Sequence, residues 1–273
     1  MNDVSNGARL NGVLPNCTGT APYLPDFAAI TLAQLDASAP LFSRQDRKYI
    51  VPEEVLDEAL GEWSQNFDVL EIDGNRSFLY RSLYFDDNRY SNFHDHHMGR
   101  RIRFKVRTRH YVDTDTYYLE MKLKGTRGRT LKSRLLHLPE SITALDAVAL
   151  EYINRTYFDV YRRPLHAELT PAIRVDYIRT TLVAKQGGAR ITIDRNLAFT
   201  SGSEVFTVDA GKAVLETKSD NGNAIADRTL RRLHQHPVPR CSKYCIGLAA
   251  LGRVDRYNNF RAAMRKLNVS AAF

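Results

Sequence analysis

Between Arg101 and Arg109 basic residues stand at every odd position, and Ile102, Phe104 and Val106 fill most of the even ones. Successive side chains of an extended chain point to opposite faces, so the pattern predicts a strand with five cations on one face and apolar groups on the other. Wound as a helix, the same five would scatter round the axis. Later segments repeat the alternation. In Tyr117–Lys124, Glu120, Lys122 and Lys124 oppose Leu119, Met121 and Leu123. Arg190 and Asp194 share a face away from Ile191 and Ile193, Glu216 and Lys218 lie opposite Leu215, and Tyr177 and Arg179 share a face.

The remaining pattern fills in an α+β chain. Short strands are predicted at Arg47–Val51, Leu79–Asp86, Thr130–Leu138, Pro171–Leu182, Arg190–Phe199 and Ala213–Thr217. Apolar residues at helical spacing predict a helix from Pro52 through Trp63, with Glu53 and Glu54 suiting the positive end of its dipole. A helical insert is expected at Ser141–Tyr161, a basic helix at Ala224–His236, and a long broken helix from Ser242 to about Leu267. About eight strands joined by short turns imply an antiparallel sheet or barrel with flanking helices. Residues 1–40, rich in Asn, Gly, Ala, Pro and Thr, read as a flexible N-terminal arm with one short turn near Thr31–Leu35. Residues 41–273 form one domain, since no linker interrupts them.

Charge sharpens this picture. The chain of 273 residues has a formal net charge of +8. Between Gly99 and Arg134 stand twelve Lys/Arg against three acidic residues, so the excess is local. Such a patch suits phosphates of a nucleotide, polyphosphate or nucleic acid. Three cysteines (Cys17, Cys241, Cys245) form neither a disulfide framework nor a zinc-site spacing. There is no signal-peptide pattern and no run near the roughly 18 apolar residues of a membrane span, so a cytoplasmic location is expected.

Five strands that each carry cations and carboxylates on one face suggest a closed sheet with a polar interior. Small barrels normally fill with apolar side chains. A basic interior instead calls for phosphate and a divalent cation, and Glu120, Asp194 and Glu216 are hard oxygen ligands suited to Mg²⁺ or Mn²⁺. The alternative reading of Glu120 and Glu216 is cross-strand ion pairing.

Arg47-Lys48-Tyr49, Leu83-Tyr84-Phe85-Asp86, Arg101-Ile102-Arg103, Leu119-Glu120-Met121-Lys122, Tyr177-Ile178-Arg179, Arg190-Ile191-Thr192-Ile193-Asp194, Leu215-Glu216-Thr217-Lys218 and Ser242-Lys243-Tyr244 follow one another along the chain. In this order they resemble the VTC domain, the polyphosphate polymerase domain among the triphosphate tunnel metalloenzymes. The resemblance spans about Ser43 to Leu251. It implies an antiparallel eight-stranded tunnel that holds ATP and a divalent metal and transfers the γ-phosphoryl group to polyphosphate. Carried over by motif, Lys48, Arg101, Arg103, Lys122, Arg179, Arg190 and Lys243 would grip phosphates, and Tyr177 would add a phenolic donor. Lys105, Lys218 and Ser242 would make further substrate contacts. Glu216 would be the chief ligand of Mn²⁺ or Mg²⁺, assisted by Glu120 and Asp194. The fungal relatives join this domain to a phosphate-sensing module and membrane helices; neither is expected in these residues, so any link to a membrane would run through a partner protein. The strand Arg47-Lys48-Tyr49 lacks the paired glutamates of the adenylate cyclase and thiamine triphosphatase branch.

Other features carry less. His94-Asp95-His96-His97 is expected in a surface loop, without a second ligand pair at a zinc-like distance. Gly125-Thr126-Arg127-Gly128 is a turn lacking the Gly-Lys-Ser/Thr ending of a phosphate loop. No helix-turn-helix, zinc finger or base-stacking strand set points to nucleic acid. Three functions remain open: a polymerase using ATP, a triphosphate or polyphosphate hydrolase on the same scaffold, and a non-catalytic polyanion binder.

Overall fold

In the computed structural model, residues 24, 26–37, 45–125, 129–137 and 143–270 are described. Most of the N-terminal arm, Cys17, the tip of the Gly125–Gly128 turn and the expected helix start at Ser141 lie outside them. An antiparallel path of eight strands forms the body. In order across the sheet they are β2 (Gln45–Pro52), β11 (Lys212–Ser219), β9 (Arg190–Ser201), β8 (Thr170–Ala184), β4 (Phe78–Asp86), β5 (Phe104–Tyr111), β6 (Thr116–Lys124) and β7 (Thr130–Leu136). Three short strands branch from this path, making an eleven-stranded sheet: β1 (Ala28–Ile30), β3 (Phe67–Leu70) and β10 (Glu204–Thr207). β1 pairs parallel to β3, so this part of the expected arm is laid onto the domain, and Leu35 of α1 (Leu32–Ala37) is buried.

The expected antiparallel α+β architecture is present, but the expected closed eight-stranded tunnel is not: β2 and β7 stand at opposite ends of the path and do not pair. The edge of β2 away from β11 is engaged elsewhere, with the Lys48 carbonyl accepting from the Val238 amide at 2.7 Å. Lys48 and Lys132 both lie near enough to Lys122 of β6 to set like charges beside it.

Helices cover the apolar faces that the alternation predicts. On one outer face, Leu56, Leu60 and Trp63 of α2 (Glu53–Trp63) and Leu230 of α5 (Ile225–Arg232) pack with Val51, Leu182, Ile193 and Leu215. Ala149, Ile153 and Tyr157 of α4 (Ala147–Tyr161) recur every four residues and cover Phe104, Val106, Leu119 and Met121. Each large side chain buried this way contributes about 1.5–3 kcal/mol.

One helix, α6 (Lys243–Ala250), packs on the inner face. Tyr244, Cys245, Leu248 and Ala249 meet Tyr84, Ile173, Val175 and Phe199. Gly247 permits the close approach: a Cβ there would lie 2.6 Å from both Ile173 Cδ1 and Phe199 Cδ1. Buried Asp86 ties α6 to α3 (Ser91–Met98), accepting from the Asn92 and Phe93 amides at 3.0 and 3.1 Å and from the Tyr244 hydroxyl. The expected His94–His97 loop is therefore a helix, because Asp86 satisfies two of its orphan amides. The expected C-terminal helix is divided into α6 and α7 (Arg261–Lys266).

Candidate active site

Strand register fixes which side chains share the inner face. Glu216 of β11 stands opposite Lys48 of β2 and Thr192 of β9, and Lys218 opposite Arg190. Arg179 stands opposite Asp194, Arg107 opposite both Tyr84 and Glu120, and Lys105 opposite Lys122. Residues opposite one another in a ladder point to the same side, so these groups form one continuous surface. The start of α6 adds Ser242 and Lys243 above it. Lys48, Lys105, Arg107, Arg109, Lys122, Arg179, Lys218 and Lys243 thus outnumber the carboxylates on this face among the described residues: Glu120, Asp194, Glu216 and, opposite Lys218 at the edge of the sheet, Asp46.

Asp194, Glu120 and Glu216 are each held by two cations. Asp194 accepts from Arg179 Nε and Nη2 at 2.6 and 2.8 Å and from Lys243 Nζ at 2.5 Å. Glu120 accepts from Arg107 Nε at 2.7 Å, with Arg109 Nη1 at 3.6 Å. Glu216 lies 2.6 Å from Lys218 Nζ and 3.8 Å from Lys48 Nζ. Burial alone would raise the three carboxyl pKa values, but these cations overrule it and hold all of them below the usual carboxylate range.

Several cations have no carboxylate at all. Lys105 donates to Ser242 Oγ at 2.7 Å, and burial lowers its pKa. Among the described residues Lys122 has neither an ion pair nor a hydrogen bond. Its side chain is solvent-exposed, yet the protein packed around it and the nearby charges of Lys48, Lys132 and Lys105 pull its pKa down to about 7. Aromatic faces partly offset the repulsion. Arg179 lies 5.0 and 5.2 Å from the ring centres of the stacked Tyr80 and Tyr177, Arg107 lies 5.5 Å from that of Tyr84, and Lys243 lies 4.8 Å from that of Tyr177.

Of the residues expected from sequence, Lys48, Lys105, Glu120, Lys122, Tyr177, Arg179, Asp194, Glu216, Lys218, Ser242 and Lys243 meet here. Arg190 is on the same face, but its guanidinium donates to the Leu35 carbonyl of α1 at 3.2 Å. Arg101 is exposed on a bend before β5, and Arg103 sits at the rim, where it donates to the Arg100 carbonyl. The strand begins at Phe104, so the arginines that it carries on the inner face are Arg107 and Arg109. Motif matching passed over these two, although the same odd-position alternation includes them. Tyr80 and Tyr84 were also missed; their four-residue spacing in a strand puts both on the site face.

Comparison with known proteins bears on this arrangement. The family model described as the VTC domain matches residues 43–252. The chain belongs to the VTC domain family. Membership ties this VTC domain to polyphosphate and triphosphate chemistry. No curated protein matches the sequence. Among solved structures, a candidate adenylate cyclase from Bacillus halodurans is 12% identical, over 74% of this chain and 95% of that one, with a TM-score of 0.46. A candidate adenylate cyclase from Vibrio parahaemolyticus is 10% identical, over 75% and 97%, with a TM-score of 0.41. A candidate adenylyl cyclase from Hippeastrum, described as having a dominant triphosphatase activity, is 15% identical over 69% and 83%, at 0.38.

The VTC family implies a divalent cation, and Glu216 is the candidate ligand for it on this face. Among the described residues no three His, Cys, Asp or Glu side chains converge. Asp194 accepts from Arg179 and Lys243 and Glu120 from Arg107; Glu216 is likewise 2.6 Å from Lys218, with Lys48 at 3.8 Å from its other oxygen. One ionised carboxylate plus substrate phosphate oxygens and water is a usual arrangement for Mg²⁺.

Proposed function

We propose that this VTC domain is a metal-dependent polyphosphate polymerase that transfers the γ-phosphoryl group of ATP to a polyphosphate chain. The observation that carries the reading is the inner face itself, where eight cations drawn from strands and α6 surround three ionised carboxylates. Phosphoryl transfer needs positioning and charge neutralisation more than covalent catalysis, and this surface offers both. Arg107, Arg109 and Arg179 offer planar forks for non-bridging phosphate oxygens, while Lys48, Lys105, Lys122, Lys218 and Lys243 supply point charges. The first amides of α6 favour an anion near Ser242.

A terminal oxygen of the polyphosphate acceptor attacks the γ-phosphorus. The bond from that phosphorus to the β–γ bridging oxygen breaks, and ADP leaves with the electron pair. Arginines and lysines of the face hold donor and acceptor in line and neutralise the leaving charge. Glu216, with phosphate oxygens, would hold Mn²⁺ or Mg²⁺, which supplies further neutralisation when bound. Asp194 and Glu120 orient Arg179, Lys243 and Arg107.

The same face could present water in place of a chain end as acceptor, which keeps hydrolysis as the competing reading. The test incubates the protein with ATP and Mn²⁺ or Mg²⁺, with and without a short polyphosphate primer. ADP, free phosphate and long-chain product are followed together. ADP with polymer and little free phosphate supports the polymerase. ADP with matching phosphate and no polymer replaces it with a hydrolase. No turnover with either metal leaves a polyanion-binding role.

A further inference from the structure

Outside the inner face, a groove of about 510 Å³ runs along α3 and is lined by Arg89, His94, Asp95, His97, Arg100 and Arg256. Three arginines face one aspartate. Arg100 is paired to Asp95 at 2.7 Å, while Arg89 and Arg256 have no carboxylate partner among the described residues. Its wall is built rather than loose. The His97 carbonyl accepts from Arg240 Nη1 at 2.7 Å and from Asn259 Nδ2 at 2.9 Å, and the buried His97 ring is held by Asn258 at 2.7 Å. The opposite side of α3 faces the active site: His96 lines a cleft with Arg103, Lys105 and Lys122. From Arg100 on the groove to Arg103 on the cleft is three residues, at most about 11 Å of chain, with exposed Arg101 between them.

We propose that this groove is a second polyanion subsite that holds the phosphate chain beyond the active-site cleft, with Arg101 and Arg103 bridging the two. The proposal rests on the polyphosphate reading of the inner face. Paired charges inside the groove would need no ligand, whereas the exposed Arg89 and Arg256 line it without a carboxylate partner among the described residues, at the end of a run of cations. A chain with one negative charge per phosphate can span both places, whereas a triphosphate reaches only the cleft. The subsite would therefore govern affinity for long chains and the length of the product.

The test compares the wild-type protein with the Arg89→Ala/Arg256→Ala double variant, using tripolyphosphate and long-chain polyphosphate as probes in the absence of ATP. The variant should bind tripolyphosphate as the wild type does and lose about tenfold in affinity for the long chain. Its salt dependence with the long chain should flatten by about one unit per arginine removed. With ATP and metal, the variant should make shorter product. Equal long-chain affinity for the two proteins would overturn the subsite even if the wild type polymerises. Displacement of the long chain by orthophosphate at matched phosphate concentration would also overturn it, since the groove would then read single phosphates. If the wild type makes no polymer, the polymerase reading fails, while selective loss of long-chain binding would still support the groove.

Discussion

Lys105 of β5 donates its ammonium proton to the hydroxyl of Ser242, 2.7 Å away and 137 residues later in the chain. The same hydroxyl caps α6 by accepting from the Cys245 amide at 3.4 Å. One contact thus joins the cation row of the sheet to a helix N-terminus. Both attract anions for different reasons, the row through full charges and the helix through unpaired amides. Without a ligand, Ser242 is a neutral substitute for the acceptor oxygen that Lys105 lacks.

Glu216→Gln should separate metal use from phosphate binding. The substitution removes the carboxylate proposed for the cation and leaves every proposed phosphate-binding cation in place. Turnover with ATP and Mn²⁺ should fall by a factor of about 10² or more, the usual cost of losing one strong electrostatic group in a site. Tripolyphosphate binding without metal should hold or strengthen, because a negative charge has left the face. Unchanged metal-dependent turnover would remove Glu216 from its assigned place.

Asp194→Asn should act mainly through stability. Its carboxylate is buried and compensates Arg179 and Lys243, so the substitution strands two cations. Breaking such a buried pair costs about 3–5 kcal/mol. The pKa of Asp194 in the folded protein is depressed, so its contribution is present above its unfolded value of about 3.9 and is lost as pH falls toward the folded value. The difference in melting temperature between wild type and variant should be full at pH 7 and narrow only below about pH 4. A constant difference down to pH 2 would contradict the assigned charge compensation.

The residues show why some of this was legible in sequence and some was not. Alternation along β6, β9 and β11 predicts the face on which Lys122, Asp194 and Glu216 stand, because a strand's face depends only on parity. Arg101 and Arg103 share that parity with Arg107 and Arg109, so parity could not reveal where β5 begins. The boundary depends on α3 and on Gly99, whose positive φ of 72° ends that helix and sets where the chain turns toward the sheet. Closure was likewise beyond a strand count, since the edge of β2 is engaged at Val238, far along the chain. Tyr84 and Tyr244 stack at a centroid distance of 5.1 Å, although nothing near either residue in sequence points to the other.

Gly247→Ala should connect packing to binding. The added methyl would crowd Ile173 and the rigid ring of Phe199, shifting α6 away from the sheet. Overpacking of this kind costs about 1–3 kcal/mol. Because Ser242 and Lys243 move with α6, KM for ATP should rise more than kcat falls. A stability loss with unchanged KM would show that the start of α6 is not part of the binding surface.

Lys122 makes anion binding depend on pH in a defined direction. Its pKa in the free protein is about 7, far below the value near 10.4 in an unfolded chain. Between these values the unfolded chain holds a proton that the folded protein has lost, so this residue makes the free protein more stable as pH rises through that window. Binding reverses the preference, because a phosphate beside Lys122 favours the charged ammonium. Tripolyphosphate should bind with uptake of up to one proton near pH 8, and its affinity should weaken as pH rises above 7. Calorimetry in buffers of different ionisation heat measures that uptake. Lys122→Arg should remove it, since a guanidinium stays charged throughout this range while leaving a cation in the cleft. The same proton uptake in the Arg variant would assign the titration to another group.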